Sequence, residues 1–327
     1  MSGTLRLNDT TFATETNGNI TTNVSELKIN DQTVIDSNKS LNVSDVKVGG
    51  NTVIDSNRKM TGVDIVPTTN FTFRNKIING NLKSARVINQ RGASSITGAT
   101  GYTYDRWYYD GSNYLYQGIE DLNVNNGTYV ISWVGSDITA EYLLSTDTTA
   151  NNGWDGAGTF QTVANGGTFT VNESPEHGKH LWIRFSGTLS NLDKVMVEEG
   201  TVATPFEHRP YGTELALCQR YAHFIRPAAQ YAAIGVGRAW SATQGNAHVY
   251  LPVSMRGAIA IEYSNLSHFD LPPAGEGVNS LHNDGSTEQT VKVGWTRNSN
   301  ITSGTYYQLE FEDSNWQNAY LGFTSEL

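Results

Sequence analysis

Two kinds of residue grouping in this chain could support chemistry: paired acids or imidazoles, and clustered aromatic rings. Glu198 and Glu199 are neighbouring carboxylates, and two acids flanking a glycosidic bond can hydrolyse it. Successive side chains of a strand point to opposite faces, so these two cannot act on one bond. His177 and His180 are three positions apart in a stretch of strand and turn with no third ligand nearby, and no metal is expected there. Cys218, the one cysteine, sits on an apolar helical stripe and reads as core rather than nucleophile. The chain lacks the Gly-x-Ser-x-Gly elbow, the His-Glu-x-x-His zinc helix and the phosphate-binding Gly-rich loop. No catalytic residue, metal or cofactor is expected.

The aromatic residues are better placed. Sugar recognition uses the flat face of Trp or Tyr against pyranose C–H groups, with amides and carboxylates on the hydroxyls. Tyr108, Tyr109, Tyr114 and Tyr116 bracket a Gly111-Ser112-Asn113 turn. Trp154 and Asp155 stand in a Gly-rich loop where a large ring is hard to bury. Trp240, His268 and Trp316 lie in the last third of the chain. These nine residues are the candidate ligand contacts.

The elements that must position them are β-rich. Of 327 residues only 17% are charged, and Gly, Asn, Ser and Thr are abundant, which favours short strands and turns. The formal net charge of −10 argues against nucleic acid and anionic membrane surfaces as partners. No apolar run is long enough to insert into a membrane. Residues 27–70 hold a unit of 19 residues written twice, with Thr33–Asn38 and Thr52–Asn57 identical, and a weaker copy starts at Leu5. A unit this short cannot bury its apolar side chains alone. Three chains wound about one axis would bury Val34, Ile35, Val53 and Ile54 against their mates, so a homotrimer with a β-repeat shaft is expected.

Residues 71–212 show strand alternation, as in Leu181–Phe185, Tyr129–Val134 and Val195–Glu198, and suggest a β-sandwich or jelly roll. Trp107 and Trp182 are expected in its core. Residues 213–228 contain an expected linking helix over 213–226, capped by Thr213 and ended by Pro227. Its Leu215, Cys218, Ala222 and Ile225 share one face, which packs either on the preceding sandwich or against symmetry mates in the trimer. Residues 229–327 return to strands as a C-terminal β-sandwich, interrupted by an expected polar loop over 264–286. This last domain carries four basic and nine acidic residues, a sign that offers an anionic polymer no general attraction.

Asn75–Gly92 (NKIINGNLKSARVINQRG) followed by Tyr102–Tyr109 (YTYDRWYY) resembles the opening of a jelly-roll module in bacteriophage tail-fibre proteins. Ala203–Tyr221 (ATPFEHRPYGTELALCQRY) resembles the segment that closes that module, and TVIDSNRKMTG of the second repeat is similar to fibre shafts of marine and cyanobacterial phages. The resemblance implies a homotrimeric fibre in the virion: residues 1–26 fixed to a tail or baseplate protein, a slender shaft, the jelly roll, and a head that binds a host surface polysaccharide without catalysis. It carries no catalytic residue onto this sequence. A structural tail component and a glycan-degrading tailspike are the alternative functions.

Overall fold

The computed structural model describes residues 73–146, 159–172, 179–272, 277–298, 301–312 and 316–326, preceded by the backbone of seven strands between residues 4 and 54. The chain divides into two compact units, Met1–Asn70 and Phe71–Leu327. The protein is mainly β, and its sheets are antiparallel throughout the described pairings.

In the first unit, β1 (Thr4–Leu7), β2 (Thr10–Thr16) and β3 (Asn19–Thr22) form one sheet. Two hairpins follow: β4 (Leu27–Ile29) with β5 (Gln32–Ile35), and β6 (Val46–Val48) with β7 (Asn51–Ile54). The sequence repeat is also a repeat of register. Leu27 pairs with Ile35, Lys28 with Thr33 and Ile29 with Gln32, and the same pattern recurs as Val46–Ile54, Lys47–Thr52 and Val48–Asn51. The weak copy obeys it too, with Leu5–Ala13, Arg6–Thr11 and Leu7–Thr10. Each hairpin carries its irregularity at the equivalent place, after Leu5–Ala13, Leu27–Ile35 and Val46–Ile54, and two residues separate its strands (Asn8-Asp9, Asn30-Asp31, Gly49-Gly50), a spacing suited to tight hairpins. The side chains of Val34, Ile35, Val53 and Ile54, expected to line a trimer axis, lie outside the described residues.

The second unit contains two pairs of sheets. Its first half comprises β8 (Gly101–Tyr102), β9 (Tyr108–Tyr109), β10 (Leu115–Ile119), β11 (Gly127–Val134), β12 (Ile138–Ser145), β13 (Gln161–Val163), β14 (Thr168–Val171), β15 (His180–Gly187) and β16 (Asp193–Glu199). They form a six-stranded sheet, β13-β12-β15-β10-β9-β8, and a three-stranded sheet, β14-β11-β16. Leu115, Leu181, Ile183 and Phe185 of one sheet meet Tyr129, Ile131, Phe169, Val195 and Val197 of the other in a single core. Trp107 is fully buried in that core. Trp182 is buried on the other side of β15, with Tyr116, Leu143 and Tyr221. The alternation read in Leu181–Phe185 therefore places both of its faces in apolar surroundings.

One helix follows, α1 (Tyr211–Gln219), and here the expectation fails at both ends. Pro210, not Thr213, is the N-cap residue, as suits a residue whose missing N–H costs a helix start nothing. The helix stops before Tyr221, and Ala222–Ile225 form β17, paired with β25 (Leu321–Thr324). Pairing with a strand about 100 positions away overrides the local helical period. Ala222 and Ile225 thus leave the helical stripe. Cys218 and Ala222 are sealed inside the single chain at 0% exposure, and Leu215 is half-buried.

The second half contains β18 (Ala233–Ala239), β19 (Gln244–Tyr250), β20 (Ala260–Tyr263), β21 (Phe269–Asp270), β22 (Ser280–Ser286), β23 (Thr290–Thr296) and β24 (Tyr306–Phe311). A six-stranded sheet, β21-β24-β18-β19-β23-β22, faces a three-stranded sheet, β17-β25-β20, across a core of Val291, Val293, Trp295, Leu309, Phe311, Leu321 and Phe323 among others. The stretch expected as a loop over 264–286 supplies β21 and β22, the two edge strands of this sheet. Phe269 and Leu281 point into the core, while the Gly, Asn and Ser content around them hides that alternation.

Candidate functional site

The three sequence stretches that resemble a phage module converge on the join between the two halves of the second unit. Arg106 is almost wholly buried; its Nη1 lies 2.5 Å from a Glu326 carboxylate oxygen, its Nη2 donates to the Gly118 carbonyl, and its guanidinium covers the Tyr221 ring at 3.5 Å. Arg91 donates to Glu262 at 3.0 Å and to Glu326 at 3.3 Å. Arg256 donates from Nε and Nη2 to the carbonyls of Ser325 and Glu326. The Gln90 side-chain amide donates to both Asp105 and the Ala222 carbonyl. Burial pushes the Asp105 carboxyl up to about 6, although the two Gln90 hydrogen bonds and Arg91 pull against it. Nearby, Asn79 clips Ile88 and Asp105, and Arg209 pairs with Glu207 and Glu214. These groups build a densely bonded scaffold, and beside them Asn79, Arg86, Glu207, His208, Arg209 and Glu214 line a small cavity of about 30 Å³.

The paired acids are also structural. Glu198 is buried and accepts from the Thr204 N–H and hydroxyl, while exposed Glu199, on the opposite face, meets Lys76, Asn125 and Tyr129. Burial opposes ionisation of Glu199, but hydrogen bonds from Asn125 and Lys76 outweigh it and hold its carboxyl below the usual range. Burial raises the Cys218 thiol well above its ordinary value, the reverse of what a nucleophile requires.

The tyrosine cluster divides. Tyr109 packs on the core between the sheets, and Tyr116 is buried. One row crosses the outer face of the six-stranded sheet: Glu141, Arg184, Tyr116, Tyr108 and Tyr102 are successive register partners. Arg184 pairs with Glu141 at 2.8 Å and lies between the Tyr114 and Phe160 rings, 4.0 and 3.9 Å from their centroids. Tyr108 meets Tyr102 and Tyr116 edge-on. One face of the Tyr114 ring is therefore occupied by the protein's own guanidinium. Trp154 and Asp155 lie outside the described residues. His268 is fixed in a short turn by Ser264, and Trp316 is half-buried in another.

Among the described sequence candidates, Trp240 alone opens onto a free surface. It follows β18 at the β18–β19 hairpin, where its N–H donates to the Gln244 carbonyl, and it is 42% exposed. Small and apolar residues of the strands (Ala239, Ala247, Val249, Val293, Leu309) point inward, so the alternate positions share one outer face. Tyr306, Arg238, Asn246, Gly294 and His282 follow one another as register partners across five strands. The next row carries Gln308, Val236, His248 and Lys292. Tyr306 is 71% exposed and Tyr250 79%. Gly294 leaves a shallow place that the His282 ring covers; a Cβ there would come within 2.4 Å of the ring. Asn246 reaches across to Asp284, donating at 3.0 Å. The face thus offers three exposed aromatic rings among amides, imidazoles, a guanidinium and an ammonium, with nothing arranged for bond cleavage.

A separate groove of about 400 Å³ lies on the first half of this unit, where exposed Phe73 and Leu122 adjoin Ile78, Leu217, Lys76 and Arg209. Its lining mixes the four apolar side chains with Asn75, Asn123, Asn125 and the two cations, and it holds no paired acids. Tyr250, Tyr306, Arg238 and Asn246 are missing from the sequence candidates. Strict alternation in Gln244–Tyr250 and Tyr306–Phe311 was the available signal, but it does not say which strands adjoin. No protein-family profile matches the chain, and no curated protein is similar to it.

Proposed function

We propose that this chain is a bacteriophage tail-fibre protein that attaches the virion to a host surface glycan by non-catalytic binding. The observation that carries the reading is the exposed row Tyr306–Arg238–Asn246–Gly294–His282, flanked by Trp240 and Tyr250. Rings at this exposure can stack on sugar C–H faces, and the planar polar groups between them suit hydroxyls in a shallow site. Three identical chains would bring three such faces together, so individually weak contacts add to firm attachment. The thrice-used hairpin register supports the trimer, because such hairpins need partners to bury their apolar residues. In this reading residues 71–212 form the jelly roll, 27–70 the shaft and 1–26 the attachment to a tail or baseplate protein.

The test uses fluorescent full-length protein on susceptible host cells, competed with purified surface polysaccharide. Trp240→Ala with Tyr306→Ala should abolish labelling while native mass remains that of three chains. Labelling that survives the pair would exclude this face. A purely structural role in the tail is the second reading; the groove beside the exposed side chains of Phe73 and Leu122 favours it, as a seat for a neighbouring virion protein.

A further inference from the structure

The acidic balance of the last domain does not extend to its outer sheet face. Of the four basic residues of 229–327, Arg256 is tied to the Ser325 and Glu326 carbonyls and Arg297 is buried. The other two, Arg238 and Lys292, both stand on the outer face, and neither has an ion-pair partner among the described residues. His248 is the register partner of Lys292 and a diagonal neighbour of Arg238, and His282 lies diagonally beyond Lys292. Cationic or imidazole groups therefore run without interruption over four adjacent strands. Acids are drawn off elsewhere: Glu262 and Glu326 answer Arg91 and Arg106. On the face itself Asp284 is engaged by Asn246, and Glu310 sits at the far edge beside Asp270. Burial and the neighbouring Asp270 raise the Glu310 carboxyl, against a hydrogen bond from Gln308.

We infer that the ligand of this face is an acidic glycan, whose carboxylate or phosphate seats on Arg238, His248 and Lys292 while Tyr306 and Tyr250 carry the sugar rings. This rests on the adhesion reading above and narrows its ligand. A guanidinium fork matches a planar anion in two directions, and the ammonium two strands away, at about 10 Å, can hold a second acid group of the same chain.

The experiment places full-length protein on a glycan array of uronate-bearing, phosphate-bearing and neutral oligosaccharides, with Arg238→Gln and Lys292→Gln beside the parent. Binding should be confined to acidic glycans, fall about ten-fold in each variant and weaken as salt rises. The uronate and phosphate arms identify which anion is read. Binding to neutral glycans alone, lost in Trp240→Ala, would overturn this inference and keep the adhesion reading. Acidic-glycan binding unchanged in both Gln variants would overturn it likewise. Binding to no glycan, or a changed native mass in the Gln variants, would overturn both, the latter by marking the face as an interface between copies.

Discussion

Replacement of Glu326 by alanine should separate the two halves of the second unit. The carboxylate is the ionic partner of Arg106, a guanidinium with about 1% of its side chain exposed, and a partner of Arg91. Removing one member of a buried pair costs about 3–5 kcal/mol, because the remaining charge stays in a poor solvent. Arg106 keeps the Gly118 carbonyl and the Tyr221 ring, and Arg91 keeps Glu262, which places the cost near the lower bound, about 3 kcal/mol. For a unit of this size one kcal/mol moves the midpoint by roughly 2–4 °C, so the drop is about 6–12 °C. Calorimetry, with tryptophan fluorescence as a second probe, should show that drop, and the halves should begin to melt apart. Arg106→Met combined with Glu326→Leu should cost less than the sum of the two single changes, since no lone charge remains. A shift under about 2 °C for Glu326→Ala would refute the reasoning, because it would mean that Arg106 is hydrated rather than enclosed.

Three further outcomes follow from the geometry. Asp105 ionises in the unfolded chain near 3.8 and in the folded one near 6, so its contribution to stability is greatest below pH 3.8 and declines as pH rises to about 6; a carboxyl carbon resonance titrating below pH 4.5 would contradict that. Gly294→Ala should displace the His282 ring and weaken ligand binding while the midpoint falls by only a few degrees, because the obstructing group is the end of a mobile side chain; an unfolded variant would show the ring to be fixed. Cys218 should resist thiol reagents until denaturant is added, as its burial and raised thiol require, and rapid labelling of the native protein would count against the helix packing.

Much of the β architecture was legible residue by residue. Leu181–Phe185 and Tyr306–Phe311 show their alternation openly, and the 19-residue repeat, read as a β-rich shaft, returns as two hairpins of equal register that its sequence did not announce. The helix was overextended because Ala222 and Ile225 satisfy its period by chance, while their pairing with Leu321–Thr324 lies far off in sequence. The candidate site was half legible. Trp240 could be picked out as a ring beside a turn, but its companions are joined by register between β18 and β24, some 70 positions apart, which no local pattern specifies. The tyrosines misled for a related reason: Arg184, which takes up the face of Tyr114, stands about 70 positions away.

Arg106 and Glu326 are 220 positions apart, and this has a consequence for biogenesis. At about 5–20 residues per second, a guanidinium already made must wait roughly 10–45 s on the ribosome before its carboxylate emerges. During that interval the first nine strands of the unit can align, yet their end surface stays wet and chargeable, an open face that chaperones can hold. Completion of the fold is therefore timed by elongation rather than by local collapse, and chains cut short within that window would carry a cation without its ionic partner.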